Sequence, residues 1–410
     1  MTRVPALWIF VALVAGLGLG LGLALVRPSA LPVVLAVAQP VGDLWLRALR
    51  ATILPLVVGL LFSGIVQMMA AARAGAMARR ALGWFMAVLV GGSAMAGLVT
   101  PALLALFPIP QGAGAALLMH VGAGAAGHGP MPGLADFVAS MVPVNVLASA
   151  VDDAILPVIL FTAVFAVAAT RLGAAQRRSL TLFFEAVAGA MLVVIGWILW
   201  CGPVGVFALS LALAARSGTA AIGALAHYVM IVALTGSVVL LAAYPLAVLG
   251  GRLRPGAFAR AILPAQALAL STQSSLASLP AMLTACRTLG LRDASSEFVL
   301  PLAVALFRAT GPAMNFAVAI YVAHWLGIPV DGGHMLAGFA VASVMSFGAV
   351  SLPGTISFVS SIGPIALTMG VPVEPLALLV AVEMLPDLMR TLGNVTMDVA
   401  VTAVVAARED

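Results

Sequence analysis

Stretches of about 20 apolar residues, long enough to cross a hydrocarbon layer as helices, recur along this chain at 7–26, 53–71, 81–106, 180–214, 220–249, 298–326 and 375–405, with a shorter one at 155–169. No other feature restricts the fold so strongly. Inside lipid every backbone N–H and C=O must be paired within the protein, which confines such segments to helices. A large soluble enzyme is excluded by the charge content: 8% of the 410 residues are charged, against roughly 25% where a surface must face water. The stretch at 180–214 is too long for one perpendicular span and is expected to tilt or to extend beyond the membrane. The segment 134–150 reads as a further embedded piece. The first stretch exceeds the roughly 7–15 apolar residues of a secretory signal and is expected to stay as a span.

All 19 basic residues are arginine, and they lie scattered between apolar segments, which argues against a nucleic-acid partner. Arg73, Arg79 and Arg80 fall between the second and third stretches, Arg171, Arg177 and Arg178 between the fourth and fifth, and Arg252, Arg254 and Arg260 after the sixth. The intervening connections carry only Arg216 or none. By the positive-inside rule this alternation places both termini in the cytoplasm of a cell (inner) membrane protein, although Arg27, Arg47 and Arg50 run against it. Cys201 and Cys286 sit in apolar stretches and the five histidines show no ligand spacing. No disulfide, metal centre or cofactor is expected, and the serines have no nearby histidine or lysine base for an intramembrane enzyme.

Two apolar stretches are interrupted in matching ways. Residues 258–270 break at 271–280, with Ser274, Ser275 and Pro280, and resume to 289; residues 336–344 break at 346–354, with Val350, Pro353 and Gly354, and resume to 369. Both breaks contain Ser-Leu-Pro, and neither half is long enough to span. Unpaired backbone at membrane depth is tolerated only beside protein or a water-filled cavity. Paired interruptions of this kind point to a transporter binding site built from inverted repeats; kinked ordinary helices are the plainer alternative.

Glu383, Asp387, Arg390, Thr391, Asn394 and Asp398 all fall within the last apolar stretch. At about 100° per residue they share one stripe roughly 100° wide. Intramembrane charges face a protein interior or cavity and mark ion or substrate paths. The guanidinium of Arg390 matches a carboxylate bidentately, Asp387 can accept from an ammonium, and serines and half-helix N–H groups suit a second carboxylate. Together these groups describe an anionic amino acid. The alternative is an internal Arg390–Asp387 ion pair that only joins helices.

Val142-Pro143-Val144-Asn145, Leu156–Phe161 and Gly202–Leu209 resemble segments of the glutamate transporter family, the dicarboxylate/amino acid:cation symporters. Ser274–Pro280 and Ser346–Gly354 resemble its two hairpin tips, and Asp387-Leu388-Met389-Arg390-Thr391 with Asn394–Asp398 resembles its last-helix signature. The resemblance implies an all-α polytopic membrane protein of eight transmembrane helices plus two re-entrant helical hairpins, a homotrimeric elevator-type transporter. Scaffold spans would occupy 1–72 and 134–215, and the transport domain 80–107 and 219–410. It further implies an acidic amino acid substrate, with Arg390 on the side-chain carboxylate and Asp387 on the amino group. Thr391 and Asn394 would support the ligand, and Ser274, Ser275 and the backbone around Val350–Gly354 would hold the α-carboxylate.

The chain departs from the family pattern where sodium binds. Asn-Met-Asp-Gly-Thr is replaced by Phe307-Arg308-Ala309-Thr310-Gly311, and the third span keeps only Ser93. Phenylalanine and alanine offer a hard cation no oxygen. No sodium site is therefore expected, and H+ becomes the coupling ion. Glu383, Asp387 and Asp398 are candidate carriers, and Arg308 a candidate stand-in for sodium's charge. A non-coupled sensor, an anion conductor or a C4-dicarboxylate symporter are the alternatives.

Overall fold

The computed structural model describes residues 6–73, 75–109, 142–152, 154–217, 220–345 and 354–407, and the regular structure among them is entirely helical. Helices α1 (Ala6–Val26), α2 (Leu31–Ala72) and α3 (Ala76–Leu106) are followed by α4 (Val146–Val151) and α5 (Ile155–Ala169). Then come α6 (Ala174–Trp200), α7 (Gly202–Ser217) and α8 (Ala220–Pro245), the last ending in a π turn at Leu246–Gly250. The remainder comprises α9 (Pro255–Thr272), α10 (Ser275–Thr288), α11 (Asp293–Leu306), α12 (Gly311–Trp325), α13 (Gly332–Met345), α14 (Gly354–Thr368), α15 (Glu374–Leu379) and α16 (Met384–Ala406). Seven helical segments among the described residues are long and apolar enough to cross a membrane. At 15 residues, α5 is shorter than the roughly 20 that a span needs.

Several expected elements are redrawn. The stretch at 53–71 is the second half of α2, a 42-residue helix containing Pro40 and Pro55. Its first half carries Gln39, Asp43 and Arg47 four residues apart, so the polar groups share one face and break up the apolar run without breaking the helix. The single tilted span at 180–214 is two helices: α6 closes at Cys201, and α7 restarts at Gly202-Pro203, where a proline without N–H suits a first turn. The stretch at 298–326 is likewise divided, α11 and α12 flanking an unwound Phe307–Thr310. The stretch at 375–405 divides into α15, a tight turn through Glu383, and α16. In the first interruption the helix fails only at Gln273, which adopts φ 51°, and at Ser274; Pro280 lies inside α10. Residues 346–353 of the second interruption, including Val350, lie outside the described residues, as do residues 134–141 of the stretch 134–150, whose remainder carries the short helix α4, with no buried residue.

Helix α1 packs along α7, and α2 packs against α5, α6 and α7. Around α16 gather α8, α9, α10 and α11, while α12 is held between α3, α8 and α14. Helices α9 and α10 fold back on each other through the turn at Gln273–Ser274, and α13 packs against α14. The α1–α7 contact is set by small residues: a Cβ on Gly16 would approach Ser210 Oγ at 2.1 Å, and one on Gly20 the Leu211 carbonyl at 2.4 Å. Gly18 and Gly22, on the other face, have nothing within 4 Å. Close backbone approach at Gly-x-x-x-Gly is what drives helix association in lipid. Gly20→Leu is therefore expected to destabilise the protein by about 1–3 kcal/mol, seen as a lowered melting temperature in detergent, while Gly18→Leu leaves it unchanged.

The ends of the helices can be ordered. Gly250 and Gly251, past the end of α8, lie against Val404 and Ala403 near the end of α16, so these helices run parallel. Helix α3 runs opposite to α8, since Thr100 meets Thr235 at 3.4 Å and the Phe107 carbonyl meets His227 Nε2 at 2.8 Å. Arg79 and Arg80, at the start of α3, therefore share a side with Arg252, Arg254 and Arg260.

At the entry to α13, Asp331 Oδ1 accepts from the backbone N–H groups of Gly333 (2.9 Å) and His334 (3.0 Å). The His334 N–H, foremost among these contacts, holds the Asp331 carboxyl below its ordinary value. A lowered carboxyl stabilises above the ordinary aspartate range and loses that contribution as pH falls through the lowered value. Protection of the Gly333 and His334 amides against exchange, relative to their intrinsic rates, is expected to fall as pH drops below the ordinary aspartate value of about 4. Asp331→Ala should remove the difference at every pH, at a cost of about 1 kcal/mol or less for so exposed a cap.

Candidate functional site

The site is built on the polar face of α16, whose charged residues are all buried. Glu383 is 1% exposed, Arg390 5%, Asp387 8% and Asp398 0%. Glu383 stands at the turn before α16, nearly two turns from Arg390, and the tight turn keeps it in line with the helix face. Its Oε1 accepts from Arg390 Nη2 at 2.6 Å, and its Oε2 accepts from the Tyr228 hydroxyl of α8 at 3.3 Å. Arg390 Nη1 donates to Asn315 Oδ1 of α12 at 2.7 Å, and Arg390 Nε lies 3.3 Å from Asp387 Oδ1. The guanidinium is thus shared among three side chains, from the turn before α16, from α16 itself and from α12. The expected Asp387–Arg390 pair is present, but Glu383 is the closer anion.

Asn394 clasps the unwound segment of the seventh stretch. Its Oδ1 accepts from Thr310 N at 2.9 Å and Thr310 Oγ1 at 2.8 Å, and Thr310 Oγ1 also lies 3.0 Å from the Arg390 carbonyl. The approach depends on Gly393, where a Cβ would stand 2.4 Å from the Thr310 methyl. Thr391 Oγ1 donates to its own helix at the Asp387 carbonyl, 3.0 Å.

Arg308, half-buried in the same unwound segment, lies within electrostatic reach of both Asp387 and Asp398. Among the described residues, both carboxylate oxygens of Asp398 and the Ser93 hydroxyl of α3 are buried without a hydrogen-bond partner. Phe307 stacks on Phe85 of α3, ring centroids 4.4 Å apart and planes 7° from parallel. Hydrocarbon rings therefore fill part of the space between the third and seventh stretches.

Ser274 and Ser275 are half-buried at the tip of the α9/α10 hairpin. Ser274 Oγ is engaged there in capping α10, accepting from Ala277 N at 3.2 Å. Among the described residues no hydrogen bond joins either serine to Asp387, Arg390, Thr391 or Asn394; the hairpin reaches α16 instead through Gln266, which donates to Thr396 Oγ1 at 2.9 Å. Gly354 opens α14, and Val350 lies outside the described residues. Asn315 and Tyr228 are partners that the sequence reading passed over. Asn315 is a lone amide in an otherwise apolar α12, the kind of intramembrane polar residue that marks a site. Tyr228 carries no such signal, since its ring belongs in an apolar span.

The sequence profile described as the sodium:dicarboxylate symporter family matches residues 6–408 of this chain. Among curated relatives, the proton/sodium-glutamate symport protein of Bacillus subtilis is 27% identical over 387 residues, covering 90% of this chain and 85% of the relative. The proton/glutamate-aspartate symporter of Escherichia coli is 26% identical over 381 residues, with coverage of 90% and 85%. The C4-dicarboxylate transport protein of Rhizobium etli is 25% identical over 387 residues, with coverage of 91% and 83%.

Proposed function

The chain belongs to the sodium:dicarboxylate symporter family, and on that premise we propose that it carries acidic amino acids, aspartate or glutamate, across a cell membrane by proton-coupled, sodium-independent secondary transport. The observation that carries this reading is the buried Arg390 fork with Asp387 beside it, 3.3 Å away. The fork takes the side-chain carboxylate and Asp387 the ammonium. Ser274, Ser275 and the backbone about Gly354 complete the site at the α-carboxylate when the hairpins close. Eight spans with two re-entrant hairpins, assembled as a trimer, form the working unit. Helices around α2 act as scaffold, and those around α16 as the moving body, a division supported by the packing of α8, α9, α10 and α11 on α16.

Proton coupling rests on Glu383. In this structure its charge is balanced by Arg390 at 2.6 Å. A substrate carboxylate that takes the fork leaves Glu383 buried with only Tyr228, and a buried carboxylate without its cation is neutralised rather than kept charged. One proton thus enters with each substrate. Sodium independence is supported by the Phe85–Phe307 stack and by Arg308, a cation within electrostatic reach of Asp398.

A second reading is favoured by Arg308 alone. With Arg390 3.3 Å from Asp387 and Arg308 within electrostatic reach of it, the site holds two cations, which suits a C4-dicarboxylate. Competition against labelled aspartate in proteoliposomes separates the readings. Unlabelled aspartate or glutamate should displace the label at far lower concentration than succinate, and alanine should not compete. Preferential displacement by succinate would replace the first reading with the second, and no specific uptake of either would refute both.

A further inference from the structure

A cavity of about 500 Å³ lies away from the α16 site, where the chain passes from α8 into α9. Arg252, Arg254, Arg260 and Thr288 line it together with Leu253, Ala257, Ala261 and Leu289. None of the three arginines has a carboxylate partner among the described residues; Arg260 Nε donates only to the Gly256 carbonyl of its own helix, at 3.0 Å. The contrast with Arg287 next to the cavity is informative. That guanidinium is already neutralised by Asp293 at 2.9 Å and Glu297 at 3.0 Å.

The connection is built to present these side chains. Helix α8 is closed by Gly251 N to Leu246 O and Leu253 N to Ala247 O, both 3.2 Å. Arg252 between them adopts φ 55°, a left-handed conformation that a long side chain rarely takes without a compensating reason. Gly251 allows the turn to lie against α16, since a Cβ there would come within 2.8 Å of the Ala403 Cβ. Arg254 then stands in extended conformation before Pro255, at the start of α9. The cavity also lies on the side of the molecule that carries Arg79 and Arg80, at the ends of membrane-crossing helices.

We propose that this cavity is an anion site for a phosphate group, with the arginines holding the phosphate oxygens and the leucine and alanine wall facing the apolar part of its carrier. Guanidinium forks match phosphate oxygens in the way they match carboxylates. Basic pockets at the ends of membrane helices are where anionic lipid headgroups bind. A phospholipid headgroup and free phosphate share this chemistry, and they differ in whether the apolar wall is used.

The full-length protein is reconstituted in nanodiscs of phosphatidylcholine with or without phosphatidylglycerol, and co-retained lipid is measured by native mass spectrometry. Wild type should retain phosphatidylglycerol over phosphatidylcholine. Each of Arg252→Gln, Arg254→Gln and Arg260→Gln should lower that preference about fivefold, and Arg79→Gln should not. Triple replacement by lysine, which keeps the charge, should retain most of the preference and guards against misfolding of the glutamine variants. Calorimetry with inorganic phosphate in phosphatidylcholine nanodiscs is the second arm. Phosphate binding that is lost in the same variants, without lipid preference, identifies free phosphate as the source. If neither probe distinguishes wild type from these variants, or if Arg79→Gln lowers binding equally, the site does not exist.

Discussion

Arg390→Ala is expected to abolish binding of aspartate and glutamate. The guanidinium is 5% exposed and serves Glu383, Asp387 and Asn315 at once. Its removal leaves the incoming carboxylate without the fork, and leaves Glu383 and Asp387 buried without their shared guanidinium. Breaking one member out of a buried ion pair costs about 3–5 kcal/mol, a loss of roughly 100-fold or more in affinity. Neutral amino acids, which bring no second carboxylate, should lose far less. Arg390→Lys tests whether charge alone suffices: it keeps the cation but not the fork that spans two acceptors, and should bind weakly. Isothermal calorimetry on purified protein decides the matter, and unchanged acidic amino acid affinity in the alanine variant would remove Arg390 from the site.

Exchange of sodium for choline should leave aspartate affinity unchanged, whereas an inward proton gradient should drive accumulation into proteoliposomes. The decisive variant is Glu383→Gln. Glutamine keeps one acceptor oxygen for Arg390 and offers an amide N–H to the Tyr228 hydroxyl, but has no titratable proton, so binding should persist while gradient-driven accumulation falls to passive equilibration. Arg308→Met alone should not create sodium dependence, because Phe307 and Ala309 still provide no side-chain oxygen and the ring of Phe307 remains stacked on Phe85. Strong sodium dependence of wild-type affinity would overturn this account, and normal proton-driven accumulation by Glu383→Gln would move the proton to Asp387 or Asp398.

The sequence revealed composition and periodicity, and little of the geometry at breaks. The stripe on α16 was legible because six polar residues recur at helical spacing within apolar surroundings, and burial of Glu383, Asp387, Arg390 and Asp398 follows from that alone. The choice of Glu383 over Asp387 as the closer partner of Arg390 was not. It depends on the tight turn through Val380–Glu383, which no apolar run discloses. The divided seventh stretch was hidden because Phe307 and Ala309 are as apolar as the helices they separate. What holds that segment open is Asn394, 84 residues away in sequence. In α2 the error ran the other way: polar residues on one face suggested a connection where the helix continues. Hydropathy reports what a residue prefers to touch, whereas a helix boundary is decided by where its hydrogen bonds go.

The Glu383–Arg390 contact has a further consequence for the kinetics of the cycle. An arginine left bare in the empty carrier would face a steep electrostatic barrier on crossing the hydrocarbon layer, and such a protein could only swap one cargo molecule for another. Here the Arg390 guanidinium is matched at 2.6 Å by a carboxylate of its own chain. In the proposed transport cycle a body neutralised in this way would return without a passenger, and net import into vesicles that contain no amino acid, rather than obligatory homoexchange, is the expected outcome.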